Sequence, residues 1–396
     1  MGDAEKIIAR AAENMSSIDA AQWDACANPG GDVPYNPFLS HAFLKALEES
    51  GSATAQTGWK PYHVLVEDGH GNIAGCAPAY LKGHSQGEFV FDYGWADAWE
   101  RAGGQYYPKL QVSVPFTPAT GRRLLARPGP NMQQTEDQVA AALVEITNQL
   151  DLSSCHMTFL PEDQWNHLGD IGFLQRTDQQ FHWEDDGYGD FDGFLNALAS
   201  RKRKNLKKER ARAIENDIEI EWVTGSDITE DHWDAFFTFY MDTGSRKWGS
   251  PYLTRTCFSM LGEAVPDDLL LILAKRHGRY IAGALNMIGS ETLFGRYWGC
   301  TEHHDFLHFE VCYYQAIDFA LSRGLKRVEA GAQGSHKLAR GYVPKLTYSA
   351  HYIPNPSFRD AVDNYLASER RHVAADADML LDHAPFKKTD QNTPQD

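Results

Sequence analysis

The sequence predicts an α/β protein with mixed β-sheets, built from two similar halves. Three observations lead to this prediction: the chain length, a strand pattern that occurs twice, and a complete strand–helix–strand unit in the second half. The chain has 396 residues, more than one ordinary hydrophobic core accommodates, so two domains are expected. Its residues are 42% hydrophobic and 12% aromatic, which is enough for large cores and unlike a disordered chain.

The repeated pattern occupies 62–82 and recurs at 269–289, about two hundred residues later. Each copy indicates a strand, a polar turn and a second strand that passes through Ile-Ala-Gly. An aromatic segment follows each copy, at 88–96 and at 291–300, and is predicted to form a third strand. The similarity of the two copies favours an internal duplication.

The strand–helix–strand unit begins with strand 291–300. Apolar residues at helical spacing predict an amphipathic helix over 308–323, and Gly324 is placed to end it. Residues 325–330 then return to the sheet. Because a helical crossover joins them, the strands 291–300 and 325–330 should be parallel.

In the first half, the matching elements are a helix and a strand. Thr135 and Gln138 have the spacing of a capping box, which predicts a helix near 136–150. An apolar run at 155–161 predicts the strand that follows.

A polar segment, 184–190, is expected to separate the two halves. The predicted division is an N-terminal domain over 1–185 and a C-terminal domain over 190–375, with the C-terminal domain carrying the cleft. The polar residues of 376–396 indicate a frayed tail.

Composition excludes several classes of protein. No apolar run reaches the roughly 18–20 residues of a membrane span, and the N-terminal segment has no apolar signal-peptide centre. The six cysteines are scattered, which is typical of free thiols in a reducing compartment and predicts a cytoplasmic protein. The net charge of -17 argues against general affinity for nucleic acids, although a local basic site stays compatible with it. The oligomeric state is left open.

The strongest candidate site is a glycine-rich loop that follows strand 325–330. Glycines let the backbone approach a ligand, and ligands of open α/β sheets bind beyond strand ends. The three cations of the loop suit a phosphate or carboxylate, its histidine suits acid–base work, and its glutamine suits an oxyanion. A solvated connection is the alternative. The candidate residues are Gln333, His336, Lys337, Arg340 and Lys345.

The segment 301–310 begins the predicted helix and carries a second candidate group. His308 and Glu310 lie in its first turns and are candidates for a general base. His304 and His308 have the spacing of a zinc pair, but no third ligand follows at a familiar interval, so no metal is predicted. Structural polar residues are the alternative.

A basic segment, 201–212, contains eight basic residues in twelve positions, in an otherwise acidic chain. It is expected to continue a helix that starts near Phe191. Either it is a solvated helix face, or it contacts a polyphosphate or an RNA backbone. The candidate contacts are Arg201, Lys202, Arg203, Lys204, Lys207 and Lys208.

Two further groups complete the expected substrate wall. Arg246 and Trp248 lie in a predicted lid at 242–254, and Arg296 and Trp298 lie in the aromatic strand. The sequence has no P-loop, no G-x-S-x-G elbow and no G-x-G-x-x-G between strand and helix, so NTPase, hydrolase and dinucleotide classes are disfavoured.

With these segments in view, the chain resembles the FemAB-like branch of the GNAT acyltransferase superfamily, whose members are named for peptidoglycan biosynthesis or recognition. The resemblance runs from Asn36 to Tyr352 and rests on NPFLSHAFL, RKRKNLKKERARA, RKWGSPYL, FGRYWGC, HFEVCYY and AGAQGSHKLARGYVP. It implies two tandem GNAT-like domains that transfer an acyl or aminoacyl group to a small or peptide-like amine. Lys345 is similar in position to a late basic residue of Fem-type enzymes.

The turn after strand 291–300 departs from the GNAT superfamily. The coenzyme A signature of that superfamily has glycines whose N–H groups bind pyrophosphate, whereas this turn, CTEHHDFLHFE, has none. The donor is therefore acetyl-CoA or aminoacyl-tRNA, with no tightly bound cofactor. The alternative function is a non-catalytic module that binds a cell-wall precursor, a peptide or RNA.

Overall fold

The computed structural model describes residues 8–246, 251–331 and 334–387. In those residues the strands are β1 (Ile8–Ala12), β2 (Trp59–Pro61), β3 (His63–Glu67), β4 (Ile73–Ala77), β5 (Ala79–Lys82), β6 (Lys109–Val112), β7 (Leu125–Ala126), β8 (Cys155–Leu160), β9 (Leu174–Glu184), β10 (Ile218–Thr224), β11 (Leu269–Arg276), β12 (Arg279–Ile288), β13 (Thr292–Cys300), β14 (Arg327–Glu329) and β15 (Val343–Tyr352).

The helices of the same residues are α1 (Ala20–Ala27), α2 (His41–Glu49), α3 (Tyr93–Arg101), α4 (Met132–Gln149), α5 (Glu162–Asp170), α6 (Phe191–Ala197), α7 (Ser200–Ala213), α8 (Glu230–Arg246), α9 (Arg255–Ala264), α10 (Leu307–Phe309), α11 (Gln315–Arg323) and α12 (Pro356–Leu381). A π-helical turn, Glu310–Tyr314, joins α10 to α11. None of the described helices is long and apolar enough to cross a membrane.

Two sheets organise the described chain. The smaller has the order β1-β3-β4-β7, and the larger has the order β10-β11-β12-β13-β14-β9-β15-β8-β6-β5-β2. Helices lie on both sides of the larger sheet, and both sheets contain antiparallel neighbours. The predicted α/β class with mixed sheets is confirmed for the larger sheet, which has parallel and antiparallel pairs.

The two halves of the chain interleave in the larger sheet. β9, from the first half, lies between β14 and β15 and is antiparallel to both. β15, near the C-terminal end, lies between β9 and β8. The strand order therefore does not divide at the predicted boundary 184–190, and the domains 1–185 and 190–375 stay a prediction.

The strand–helix–strand unit of the second half is confirmed. β13 and β14 are parallel, with Thr292 to Phe294 opposite Arg327 to Glu329. The helix between them is continuous in space from α10 to α11, with the π-helical turn in its middle. Gly324 ends it with φ 65°, a left-handed conformation that glycine adopts without steric cost.

The predicted third strand of the first half is wrong. Residues 88–92 contain no strand, and α3 follows them, because Trp95 and Trp99 have helical spacing. Trp95 is buried, and Trp99 stacks on Phe358 with ring centroids 4.7 Å apart. The two halves nevertheless share the hairpins β3–β4 and β11–β12, and each has a pair of parallel strands with a helix between them in the chain, β6 with β8 and β13 with β14.

The basic helix and the tail also differ from expectation, for a shared reason. Leu198 is extended and bridges to Phe386, and the N–H of Ala199 donates to the Pro385 carbonyl. This contact breaks the expected single helix into α6 and α7. The tail is not frayed from 376, since α12 runs to Leu381 and Phe386 packs against the core beside α6.

The predicted capping box is wrong. α4 begins at Met132, so Thr135 lies inside its first turn and its hydroxyl donates to the Asn131 carbonyl at 3.1 Å. The strand predicted at 155–161 is confirmed as β8.

The larger sheet has two unlike faces. One face is apolar and packs on α4 and α5 through residues such as Leu110 and Met157, and on α11 through Val328. The opposite face carries buried polar side chains across six neighbouring strands, an uncommon pattern because buried polar groups cost free energy unless they are paired. We call it the polar face, and it comprises Lys82, Lys109, Gln111, His156, Thr158, Ser349, Arg176, Gln180, His182 and Glu329.

Irregular segments and two helices cover the polar face. Gln180 donates to the Pro118 carbonyl at 2.9 Å, and Lys109 contacts Glu88 at 2.7 Å. α12 covers the far end, where Arg176 forms a bidentate ion pair with Glu369 at 2.8 Å. The polar side chains therefore lie beneath irregular segments and helix α12.

Candidate functional site

The parallel strands β13 and β14 separate after a short contact. Their last paired residues are Phe294 and Glu329. β13 continues to Cys300, whereas β14 ends at Glu329 and the segment after it turns away. In the described residues, β13 beyond Phe294 pairs with β12 on one side and with no strand on the other. This unpaired edge presents backbone donors and acceptors to a ligand.

Glu329 lies at the point of separation and was not singled out in the sequence. Its side chain is 4% exposed, and the Thr120 N–H donates to it over a long 3.4 Å. Burial raises the pKa of Glu329 to about 7, although the Arg327 guanidinium favours its charged form. A buried carboxyl with such a pKa exchanges protons near neutral pH, which is the property of a general base.

Two residues of the neighbouring strands frame this carboxyl. The register between β12 and β13 shifts so that Arg296 bulges out, and its guanidinium donates to the Phe116 carbonyl. The side-chain Nδ2 of Asn286 is buried and has no hydrogen-bond partner in the described residues. Gly295 lies between them, where an added Cβ would come within 3.3 Å of the Glu329 carbonyl oxygen. The strands thus approach closely just where they part.

The far end of the separated strands carries the predicted histidines. The Trp298 ring lies 5.1 Å from the His308 ring, which lies 6.1 Å from the His336 ring. The hydroxyl of Tyr313 is 3.0 Å from Nε2 of His336. The structure therefore brings together two segments that the sequence singled out separately, the helix start and the glycine-rich loop.

Burial lowers the pKa of His336, and the Lys337 and Arg340 cations lower it further. Its imidazole is therefore neutral over most of the physiological pH range and can accept or donate a hydrogen bond.

A cleft of about 340 Å³ opens beside this histidine group. It lies between the end of β13, the turn that follows it and the last turns of α8. Its lining residues are Thr243, Trp298, Cys300, Glu302, His303, His304, Leu307 and His308.

The buried cations of the glycine-rich loop are engaged within the protein. Lys337 donates to the carbonyls of Ala330 and Gly331 at 2.5 and 2.9 Å. Arg340 donates to the His336 carbonyl and to Glu209, and it covers the ring of Phe309. These contacts fix the shape of the loop, and anion binding by these two residues remains a prediction.

Lys345 lies on β15 and is partly exposed. It pairs with Glu184 of the adjacent strand at 2.7 Å. Exposed pairs of this kind contribute about 1 kcal/mol or less, so this one leaves Lys345 able to exchange partners.

Glu310 is buried and fully paired. It accepts three hydrogen bonds from Arg210 at 2.8 to 3.2 Å and one from Gln315 at 2.7 Å. Its exposed fraction is 2%. In this arrangement Glu310 anchors α7 to the π-helical turn, and its role as a base stays a prediction.

The basic helix α7 packs beside this anchor and leaves several cations in solvent. Lys207 pairs with Asp192 at 3.2 Å, and Arg203 donates to Asn196 at 3.3 Å. Among the described residues, five candidates have no ion pair: Arg201, Lys202, Arg203, Lys204 and Lys208. Arg212, one turn further, pairs with Asp305 in the turn that borders the cleft. A continuous surface thus joins the basic helix to the cleft.

Three predicted residues have no described side chain. Gln333 and Trp248 lie outside the described residues. For Arg246 the structure describes only the backbone, at the end of α8. Their predicted roles stay predictions.

Glu329 and Asn286 were missed because no linear spacing links them. Each is a polar residue inside an apolar strand, which is the only local signal. Their proximity depends on the pairing of β12, β13 and β14, which joins residues far apart in the chain.

Comparison with known proteins places the fold. The crystal structure of FemX is similar with a TM-score of 0.56 and 13% identity, over 90% of this chain and 100% of that chain. The structure of L-PGS from Bacillus licheniformis is similar with a TM-score of 0.52 and 10% identity, over 84% and 98% of the two chains. At these identities the likeness concerns the fold. No curated protein sequence matches the chain.

A family model settles the relationship that the sequence motifs suggested. The model is FemAB-like, described as peptidoglycan biosynthesis/recognition, and it matches residues 14–388. With the structural likenesses, it confirms the expected FemAB-like branch and the mixed α/β fold. The chain belongs to the FemAB-like family.

Proposed function

We propose that the protein transfers an acyl or aminoacyl group from an ester or thioester to an amine, at the site where β13 and β14 separate. The observation that carries this proposal is Glu329, a buried and weakly bonded carboxyl beside an unpaired strand edge. Amide formation needs a free amine, so a base must first remove the ammonium proton. The pKa of Glu329, about 7, suits that task.

The reaction then follows from the surrounding groups. Glu329 takes a proton from the acceptor ammonium, directly or through a water molecule. The amine nitrogen attacks the donor carbonyl, and the negative oxygen that develops accepts hydrogen bonds from N–H groups of the β13 edge. The bond from the carbonyl carbon to the leaving oxygen or sulfur breaks, and the leaving group takes up a proton.

Charge favours aminoacyl-tRNA over acyl-CoA as the donor. The turn after β13 carries Glu302 and Asp305, and Phe306 enters α10 with φ 64°. Two carboxylates beside the helix start disfavour a pyrophosphate there. α7 meets this turn through the pair of Arg212 with Asp305, and the solvent-facing cations of α7 suit an RNA backbone.

The family description supports an acceptor from peptidoglycan metabolism. We therefore propose a peptide-like acceptor that presents a primary amine. The polar face leads from the N-terminal half to Glu329 and offers hydrogen-bonding groups along its length.

A non-catalytic binding module is the second candidate. It is favoured by the internal pairing of Glu310, Lys337 and Arg340, which leaves fewer charged groups for chemistry than the sequence indicated. Under this hypothesis the protein holds its ligand and forms no product.

One experiment separates the two. The purified protein is incubated with labelled aminoacyl-tRNA or labelled acetyl-CoA, and with a peptide that ends in a free lysine amine. Labelled peptide formed from aminoacyl-tRNA supports the proposed function with its donor. Labelled peptide formed only from acetyl-CoA supports the transferase function and refutes aminoacyl-tRNA as the donor. A stable complex with donor and peptide, without labelled peptide, points to the binding module.

A further inference from the structure

The N-terminal half contains four charged residues that are buried together and that the proposed reaction does not use. Lys82 and Lys109 are partners on the adjacent strands β5 and β6, and both are fully buried. Glu88 and Asp92 reach them from the irregular segment that precedes α3. Each strand has one lysine among apolar residues, and only the pairing of the strands brings the two lysines together.

The two lysines differ in how well the protein satisfies them. Lys109 donates to Glu88 at 2.7 Å, to Ser85 at 2.9 Å and to Asp92. Lys82 has one hydrogen bond, to the Gln86 carbonyl at 3.2 Å, and its nearest carboxylate oxygen is Oε1 of Glu88 at 3.9 Å. Lys82 is therefore a buried ammonium with an incomplete set of partners.

The carboxylates are incomplete as well. Oε1 of Glu88 and Oδ1 of Asp92 are buried and have no hydrogen-bond partner in the described residues. The indole Nε1 of Trp59 and the hydroxyl of Tyr80 share this condition, and the Lys82 ammonium lies 3.7 Å from the centroid of the Trp59 ring. Unpaired buried polar atoms are few in native proteins, so a group of them in one place indicates a missing ligand.

The protonation equilibria agree with this geometry. Burial lowers the pKa of Lys82 to about 7, against the attraction of Glu88. Burial likewise raises the pKa of Glu88 to about 7, against the attraction of Lys109. Each charged form is thus poorly compensated by the protein, and a group of opposite charge would stabilise it.

We propose that this site binds a small zwitterion of the α-amino acid class. Its carboxylate pairs with Lys82, and its ammonium pairs with the unpaired oxygens of Glu88 and Asp92. The charges of two lysines and two carboxylates sum to zero. A ligand that carries one charge of each sign therefore supplies the missing partners of Lys82 and of the two carboxylates without burying a net charge. This inference goes beyond the proposed function and does not depend on Glu329 or on the edge of β13.

Aromatic rings form the outer wall of the site. Phe116 stacks on Tyr252 with centroids 4.8 Å apart, and Phe116 also lies 5.3 Å from Trp59. Phe89, next to Glu88, contacts Tyr252 and has φ 60°, which is strained for a residue with a side chain. Phe89, Glu88 and Asp92 belong to the segment 83–92, which contains no helix or strand, and the proposed ligand requires this segment to open.

Three related probes test the charge requirement on the full-length protein: L-alanine, propionate and ethylamine. Propionate is L-alanine without the ammonium, and ethylamine is L-alanine without the carboxylate, so the three carry both charges, the negative charge alone and the positive charge alone. In thermal-shift and calorimetric titrations, L-alanine should raise the unfolding midpoint with concentration and the two others should raise it far less. The proposal is overturned when propionate or ethylamine matches L-alanine, or when none of the three binds at millimolar concentration.

Variants locate the binding. Lys82→Met keeps the length of the side chain and removes the ammonium, and it should weaken L-alanine binding about tenfold or more. Glu88→Gln should weaken it as well. The control is Lys60→Met on β2, which removes an exposed lysine paired with Glu13 at 3.1 Å and should leave binding unchanged. Wild-type affinity for L-alanine in both Lys82→Met and Glu88→Gln contradicts the proposal, and the probe comparison decides it alone if neither variant folds.

Discussion

The two faces of the larger sheet differ in how completely buried carboxyls are hydrogen-bonded. On the face that packs against α11, Glu310 receives four hydrogen bonds, three of them from Arg210. On the polar face and its cover, within the described part of the chain, Glu329 receives one long hydrogen bond and Glu88 has one oxygen without a hydrogen-bond partner. All three carboxyls are almost fully buried.

This difference separates architecture from function. A matched buried pair fixes two elements against each other, as Glu310 and Arg210 fix the π-helical turn against α7. An unmatched buried group costs free energy and persists where a ligand or a reaction uses it. The polar face is therefore the place to look for chemistry, although the sequence pointed to Glu310, on the side of α11, as a base.

The largest expected effect is on transfer turnover, when the unmatched carboxyl of Glu329 is removed. Replacing Glu329→Gln should lower transfer turnover by about 10² to 10⁴, the usual contribution of a general base, with donor binding little changed. The matched control is Glu310→Gln, which should keep turnover within about tenfold because that carboxyl holds a helix in place. Single-turnover kinetics on both variants measure this, and equal losses would remove the distinction between the two carboxyls.

The pH dependence of transfer should reflect the titration of Glu329. The base works when it is deprotonated, so kcat/KM should fall about tenfold for each pH unit below the Glu329 pKa, about 7, and level off above it. The stability contribution has the opposite sense. Burial raises the folded-state pKa, so native protein binds this proton more tightly than unfolded protein does, and this contribution to stability declines as pH rises towards 7.

A kcat/KM profile and unfolding midpoints from pH 5 to pH 9 check both statements. The same profile on Glu310→Gln should keep the limb near pH 7. A profile that stays flat from pH 5 to pH 8 would contradict Glu329 as the base.

The matched pair of Glu310 with Arg210 is tested through the free energy of unfolding instead of turnover. Glu310→Gln removes the charge that pairs with Arg210 and should lower the free energy of unfolding by about 2 kcal/mol, the worth of hydrogen bonds to a charged group. Denaturant titration measures it. The comparison variant is Glu291→Gln, which breaks an exposed pair with Lys326 and should cost about 1 kcal/mol or less.

The smallest effect concerns the donor surface. Lys204→Gln combined with Lys208→Gln removes two exposed, unpaired cations from α7, and should weaken tRNA binding several-fold and reduce the slope of log affinity against log salt by about 1 to 2. Lys326→Gln, an exposed lysine away from this helix, is the control. Filter binding over a range of salt concentrations shows the slope, and an unchanged slope would argue against RNA contact at this helix.

Local sequence patterns predicted a large part of the fold. The helix over 308–323 and its end at Gly324 follow from apolar spacing and a glycine that adopts positive φ. The hairpins and the parallel relation of β13 and β14 follow from the same kind of pattern. Trp298, His308 and His336 were each predicted as site residues, and the structure brings them together.

Other features depend on partners that no local pattern shows. α6 and α7 are separate because Phe386 reaches back to Leu198 from the other end of the chain. Glu310 was predicted as a base from its position in the first turns of a helix, and its actual partner, Arg210, lies 100 residues away. The residues 88–92 have strand-like composition but contain no strand, because Lys109 binds two of their side chains.

By itself, the sequence determined the class of fold, the branch of the family and the helix and strand patterns, because these depend on neighbours within a few positions of the chain. Only the tertiary structure decided which charged groups are satisfied. It placed Lys82 opposite Lys109 and Glu329 at the separation of two strands, while it gave Glu310 four hydrogen bonds. The free energy of a buried charge depends on the atoms around it, and those atoms come from residues that strand pairing brings together across the whole chain.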